Sequence, residues 1–174
     1  MVREPIVAGI LYPSESTLLR KSVQRLLMDS TTLSSRAKGL MLPFAHYDSV
    51  GALIAAGMKR ISSSAPKRII LLAAPTTETP QGLFLPAVTA FGTPLGRLPV
   101  DSEAIALLEA AGATRDDLLH LQEHALEPHL PFLAHLFPNV PILPLLLRVN
   151  DLQELKLVTA TLGELGPEYV KEAV

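Results

Sequence analysis

The run Ile69-Ile70-Leu71-Leu72-Ala73-Ala74 has no polar side chain on either of its two alternating faces. A strand with one wet face alternates apolar and polar residues, so an unbroken apolar run reads as a strand covered on both sides. Helix-flanked parallel sheets are the usual home of such strands. The preceding residues agree. Gly39–Phe44 (GLMLPF) reads as a short buried strand, and Asp48 or Ser49 opens a helix over SVGALIAAGMKRIS. Gly51, Ala52, Ala55, Ala56 and Gly57 give this helix a small-residue surface that suits close packing on a sheet. Residues 39–74 therefore read as a βαβ unit with a right-handed crossover, Ile69–Ala74 being its central parallel strand.

The rest of the chain fits this class. Ile6–Tyr12 is apolar, ends at Pro13 and reads as extended. Ser14 or Ser16 caps a helix running to about Asp29, with Leu19, Val23, Leu26 and Leu27 on one face. Ser30–Lys38 is a polar connection. Leu83–Phe91 reads as an antiparallel or edge strand. Gly92, Pro94, Gly96 and Pro99 then make a rigid connector that lacks the lysine-serine and glycine pattern of phosphate loops. Asp101 caps a helix that Gly112 stops. Val140–Leu147 is a last apolar strand interrupted by prolines, and Asp151 caps a final helix with a Leu152, Leu155, Val158, Leu162 stripe. No repeat or linker divides the chain, so residues 1–174 read as one α/β domain.

Composition narrows the function. The net charge of −2 offers no basic surface for nucleic acid and no polybasic patch for a membrane. No apolar stretch is long enough to span a bilayer, and the N-terminus has no signal-peptide pattern. With no cysteine at all, disulfides, thiolate zinc sites and cysteine nucleophiles are excluded, and a cytoplasmic setting is expected.

The polar candidates lie in two places. His120–Phe137 holds four of the five histidines. His124 and Glu127 are three residues apart and would share a helical face, with Glu123 and His120 nearby. Such a set suits a divalent cation or a general acid–base pair. Pro128 and Pro131 divide the stretch into a turn over 120–127 and a helix from about Pro131 that packs Leu130, Leu133 and Leu136. The plainer reading is a polar helix start with histidines at the surface or satisfied in the core. The second place is the carboxyl end of the strands, where ligands of open α/β sheets bind. There the AHYD and PTTE loops would gather His46, Tyr47, Asp48, Thr76, Thr77 and Glu78. The plainer reading makes Thr76 and Thr77 turn residues and His46 a solvated loop histidine.

Three motifs, in order, carry a resemblance over most of the chain. They are V-A-G-x-x-Y-P at Val7–Pro13, T-P-L-G-x-L-x-V-D at Thr93–Asp101 and E-H-A-L-E-x-x-L-P-F-L at Glu123–Leu133. Together they resemble the N-terminal part of the MEMO family, itself similar in fold to class III extradiol ring-cleaving dioxygenases (LigB-like). The resemblance implies a single three-layer domain with a mainly parallel central sheet flanked by helices, shorter than the usual member and lacking its C-terminal part.

The departures bear on chemistry. The family's P-H-A-G-Y segment stands here as Pro43-Phe44-Ala45-His46-Tyr47, so Phe44 occupies the position of a metal-binding histidine. The family's G-P-S-H stands as Ala74-Pro75-Thr76-Thr77, where Thr77 replaces a second ligand. The third ligand implied by the resemblance is a cysteine, which this chain lacks. Only His124 is retained. The expectation is a domain leaning away from catalysis and without a cofactor, binding a small molecule or protein in the cleft formed by His46, Tyr47, Asp48, Thr76, Thr77 and Glu123. The alternative is a metal-dependent enzyme of dioxygenase or related hydrolase type. It would use His124 and Glu127 catalytically and hold iron or zinc on a shifted His46, His124, Glu127 set, with His120 or His129 in reserve. A shortened sheet would expose apolar surface, so a homo-oligomer is also expected.

Overall fold

The computed structural model describes residues 1–31, 37–62 and 66–174. A four-stranded sheet has the order β2 (Ile69–Ala73), β7 (Ile142–Arg148), β3 (Gly82–Leu85), β6 (Thr114–Arg115). A three-stranded sheet has the order β1 (Val2–Arg3), β4 (Ala90–Thr93), β5 (Gly96–Pro99). Pairing is parallel for β2 with β7, β3 with β6 and β1 with β4, and antiparallel for β7 with β3 and β4 with β5. The sheets meet where Val100 bridges Ile142 and the Asp101 N–H donates to the Ile142 carbonyl at 2.8 Å.

The helices are α1 (Ser16–Asp29), α2 (Tyr47–Ile61), α3 (Ser102–Ala110), α4 (Asp117–Gln122), α5 (Leu130–Leu136), α6 (Leu152–Gly163) and α7 (Gly166–Glu172). They cover both faces of the larger sheet. Leu143 and Leu145 of β7, with Leu83 and Leu85, pack against Ile105 and Leu108 of α3, Val158 of α6 and Tyr169 of α7. On the other face Leu146 and Phe84 meet Leu119 and Leu126. Ile142 joins a cluster with Val23 of α1, Ile54 and Met58 of α2, Phe132 of α5, and Phe91 and Leu98 of the smaller sheet. The result is the helix–sheet–helix layering of an α/β domain.

Several sequence expectations are corrected. Ile69–Ala74 does form a strand parallel to its neighbour, but at the sheet edge, with Leu72 half exposed. The strand buried on both faces is β7, because β2 and β3 flank it and helices cover it. Pro144 does not break it. Pairing with β3 ends at Leu146, two residues short of the missing N–H. Residues 39–44 form no strand and Met41 is fully exposed, so no βαβ unit spans 39–74. The expected Leu83–Phe91 strand is two strands in different sheets, and the expected rigid connector after it is the β4–β5 hairpin.

Ile6–Tyr12 is a turn rather than an extended segment. Gly9 takes φ +82° as its N–H donates to the Tyr12 carbonyl at 2.7 Å, a conformation glycine adopts without strain. Helix caps shift slightly. Glu15 caps α1 through the N–H groups of Thr17 and Leu18, and His46 caps α2. The small-residue surface of α2 packs on side chains rather than on a sheet, Gly51 against Leu26 and Gly57 against Leu42. Of the α6 stripe only Val158 is buried, while Leu152 and Leu155 are exposed. Asp101 and Asp151 cap α3 and α6 as expected. The polar connection at 30–38 lies largely outside the described residues.

Candidate functional site

Glu127 begins a single 3-10 turn, Glu127–His129, between α4 and α5, and only 1% of its surface is exposed. Arg3, equally buried, reaches it from β1 with Nη1 at 2.7 Å from Oε2. The Tyr12 hydroxyl donates to Oε1 at 2.7 Å, and the N–H groups of Ile6 and Val7 donate at 2.9–3.0 Å. Arg3 also donates from Nε to the His120 carbonyl at 3.0 Å and from Nη2 to the Glu123 carbonyl at 2.6 Å. Both oxygens of the carboxylate are thus taken by donors. A buried carboxylate with its lone pairs so engaged ties the N-terminal segment to the 127–129 turn. Spacing alone offers Glu127 as a metal ligand or acid–base group; in the fold its carboxylate is held by Arg3, Tyr12 and the Ile6 and Val7 N–H groups. Sequence reading missed Arg3 altogether; its only signal was a lone cation in the apolar opening of the chain.

The tyrosines are anchors too. Tyr47 is buried and its hydroxyl donates to the Pro128 carbonyl at 2.7 Å, its ring lying 5.3 Å from Phe132 and 5.5 Å from Tyr12. Burial raises the ionisation of both hydroxyls far above the usual tyrosine range, and the Glu127 carboxylate adds to this at Tyr12.

Glu123 ties the histidine-rich stretch to the PTTE loop. As the C-cap of α4 it accepts from the Thr76 N–H at 2.5 Å, the Thr76 hydroxyl at 2.9 Å, and the N–H groups of His124 and Ala125 at 2.7 Å each. Burial pushes this carboxyl up, but the Thr76 and Ala125 N–H groups, with the Thr76 hydroxyl and the His124 N–H, outweigh it and hold it below the usual range. Thr76 and Glu123 are thus brought together. Thr77 is exposed.

The histidines divide by environment. The His120 Nε2 lies 3.0 Å from the Phe84 carbonyl, and burial pushes the imidazole down to about 4. His129 has ring nitrogens 3.1 Å from the Pro43 carbonyl and 3.3 Å from the Leu126 carbonyl, and burial lowers it as well. Both are satisfied by backbone, as the plainer reading held. His46 is half exposed at the start of α2, where its Nδ1 accepts from the Asp48 N–H at 3.2 Å. Asp48 borders a separate hollow of about 200 Å³ with Ser22 and Arg25 of α1. His46, Tyr47 and Asp48 thus do not line the expected cleft beside Thr76. His124 is only partly buried, with Nδ1 3.9 Å from Glu123 Oε1. Its ring stands edge-on to Phe44, with centroids 5.8 Å apart and planes at 77°.

Phe44 also rims an apolar groove of about 500 Å³. Met41 and Leu42 form one wall and Leu71, Leu72 and Ala74 the other, with Leu126 and His129 between them. The sequence concealed this groove, because its two walls read as neighbouring paired strands.

The donor set does not fit the three-ligand metal centre that the resemblance implies. Phe44 has no donor atom, Thr77 offers one hydroxyl, and there is no cysteine to complete it. Nor do the shifted candidates converge, since Glu127 is held by Arg3 and His46 faces the start of α2. Among the described residues no three His, Cys, Asp or Glu side chains are placed to hold a metal ion. No described helix is long and apolar enough to cross a membrane.

Comparison with known proteins agrees with the sequence motifs. A family model described as Memo-like protein matches residues 3–173. A MEMO1 family protein of Thermotoga neapolitana is 30% identical over 163 residues, covering 84% of this chain and 58% of the relative. One from Methanothermobacter thermautotrophicus is 31% identical over 155 residues, covering 83% of this chain and 56% of the relative. One from Methanopyrus kandleri is 29% identical over 188 residues, covering all of this chain and 66% of the relative. The chain thus spans 56% to 66% of the length of these relatives. With motifs, layering and a family model over nearly every residue in accord, the chain belongs to the Memo-like family.

Proposed function

We propose that this chain is a non-catalytic Memo-like domain that binds an apolar ligand or protein segment in the groove beside Phe44 and His124. The contact between these two rings is the observation that carries the reading. Where the family resemblance places two metal-binding histidines, one is a phenyl ring packed against the other. An aromatic wall beside one imidazole favours apolar surface and offers too few donors for a divalent ion. The surrounding polar groups support the same reading, because Glu123, Glu127, His120 and His129 are already hydrogen-bonded within the fold. A centre on His46, His124 and Glu127 would have to draw Glu127 away from Arg3 and leave a buried guanidinium unpaired, which is strongly unfavourable.

Elemental analysis of untagged protein, purified without chelators and again after incubation with iron or zinc, tests this. We expect far less than one equivalent of metal in both samples. A full equivalent that His124→Ala removes would overturn the binding-only reading. On the ligand side, the fluorescent apolar probe 1-anilinonaphthalene-8-sulfonate should bind the groove, and Phe44→Asp, at a partly exposed position, should weaken it.

A further inference from the structure

We draw no further inference here: the strongest candidate, the surface hollow between α3 and α6 rimmed by Glu154 and Glu164, sets two carboxylates around apolar walls, and nothing in the structure shows what covers it.

Discussion

At the scale of single residues, the Arg3–Glu127 pair decides more than any other contact. Both side chains are 99% buried, and the carboxylate also holds Tyr12 and the backbone of Ile6 and Val7. Removing one partner leaves the other charged, buried and unpaired, so Glu127→Ala should cost about 3–5 kcal/mol in urea unfolding. Glu127→Gln keeps shape and some acceptor capacity and should cost less. His120 gives a pH signature. Its ring is pushed down to about 4 in the fold, against about 6.5 in an unfolded chain. The unfolded state therefore binds the proton first. This contribution to stability is complete above about pH 6.5 and is lost as pH falls toward 4, about 3 kcal/mol in all. His129 shifts in the same direction and adds to the slope. Unfolding free energies between pH 7 and pH 4 should fall more steeply for the native chain than for His120→Asn; equal slopes would remove His120 from the account. The sequence marked Glu127 as unusual but not its part, because spacing describes neighbours and its partner lies 124 residues away.

Among elements, α3 shows how a cap can bear more than its own helix. Asp101 accepts from the Ala104 N–H at 3.1 Å and, through its other oxygen, from the Tyr169 hydroxyl at 2.9 Å. Arg68 lies over the Tyr169 ring at 4.0 Å and 3.6 Å from the same carboxylate. An isolated cap is worth about 1 kcal/mol, so Asp101→Ala should exceed that and reach about 2–4 kcal/mol, with Asp101→Asn well below it in thermal unfolding. Gly57 of α2 tests a close approach. A methyl there would fall 2.5 Å from a terminal carbon of Leu42, the far end of a flexible side chain. Leu42 can turn aside, so the helix-propensity gain of about 1 kcal/mol should dominate and Gly57→Ala should raise Tm slightly. Helices α1, α2, α3, α5 and α6, strands β2 and β7, and two of the caps were legible because apolar periodicity and cap chemistry are local. Strand order was not. An apolar run signals coverage but not by what, so Ile69–Ala74 read as central although only β7 pairs along its length, and Val140–Leu147 read as broken although Pro144 sits beyond the end of β3. In the candidate site, loop position grouped Thr76 with Glu78 and the AHYD loop, and its hydrogen bonds to Glu123 were not legible from it. Nor was the Phe44–His124 contact, because nothing in the spacing tells an imidazole that binds a metal from one that packs against a ring.

For the molecule as a whole, β7 is the common support. It joins β2 and β3 and sends Leu143 and Leu145 to one helical layer and Leu146 to the other. Leu145→Ala should therefore cost about 2–5 kcal/mol. Native-state exchange should find the β7 amides slowest and those of α6, whose leucines face solvent, among the fastest. The place of β7 in the chain matters as much as its place in the sheet. Of the seven described strands the central one is the last to be synthesised, after β2 and β3 have each waited more than fifty residues for it. A nascent chain halted before Ile142 has two apolar strands with no ladder between them, and loop closure over such distances is slow. During synthesis the half-made domain is exposed to proteases and to chaperones that hold extended apolar segments. The residues that complete β7 thus supply the pairing that joins β2 to β3, and the helical layer of α6 and α7 closes over them afterwards.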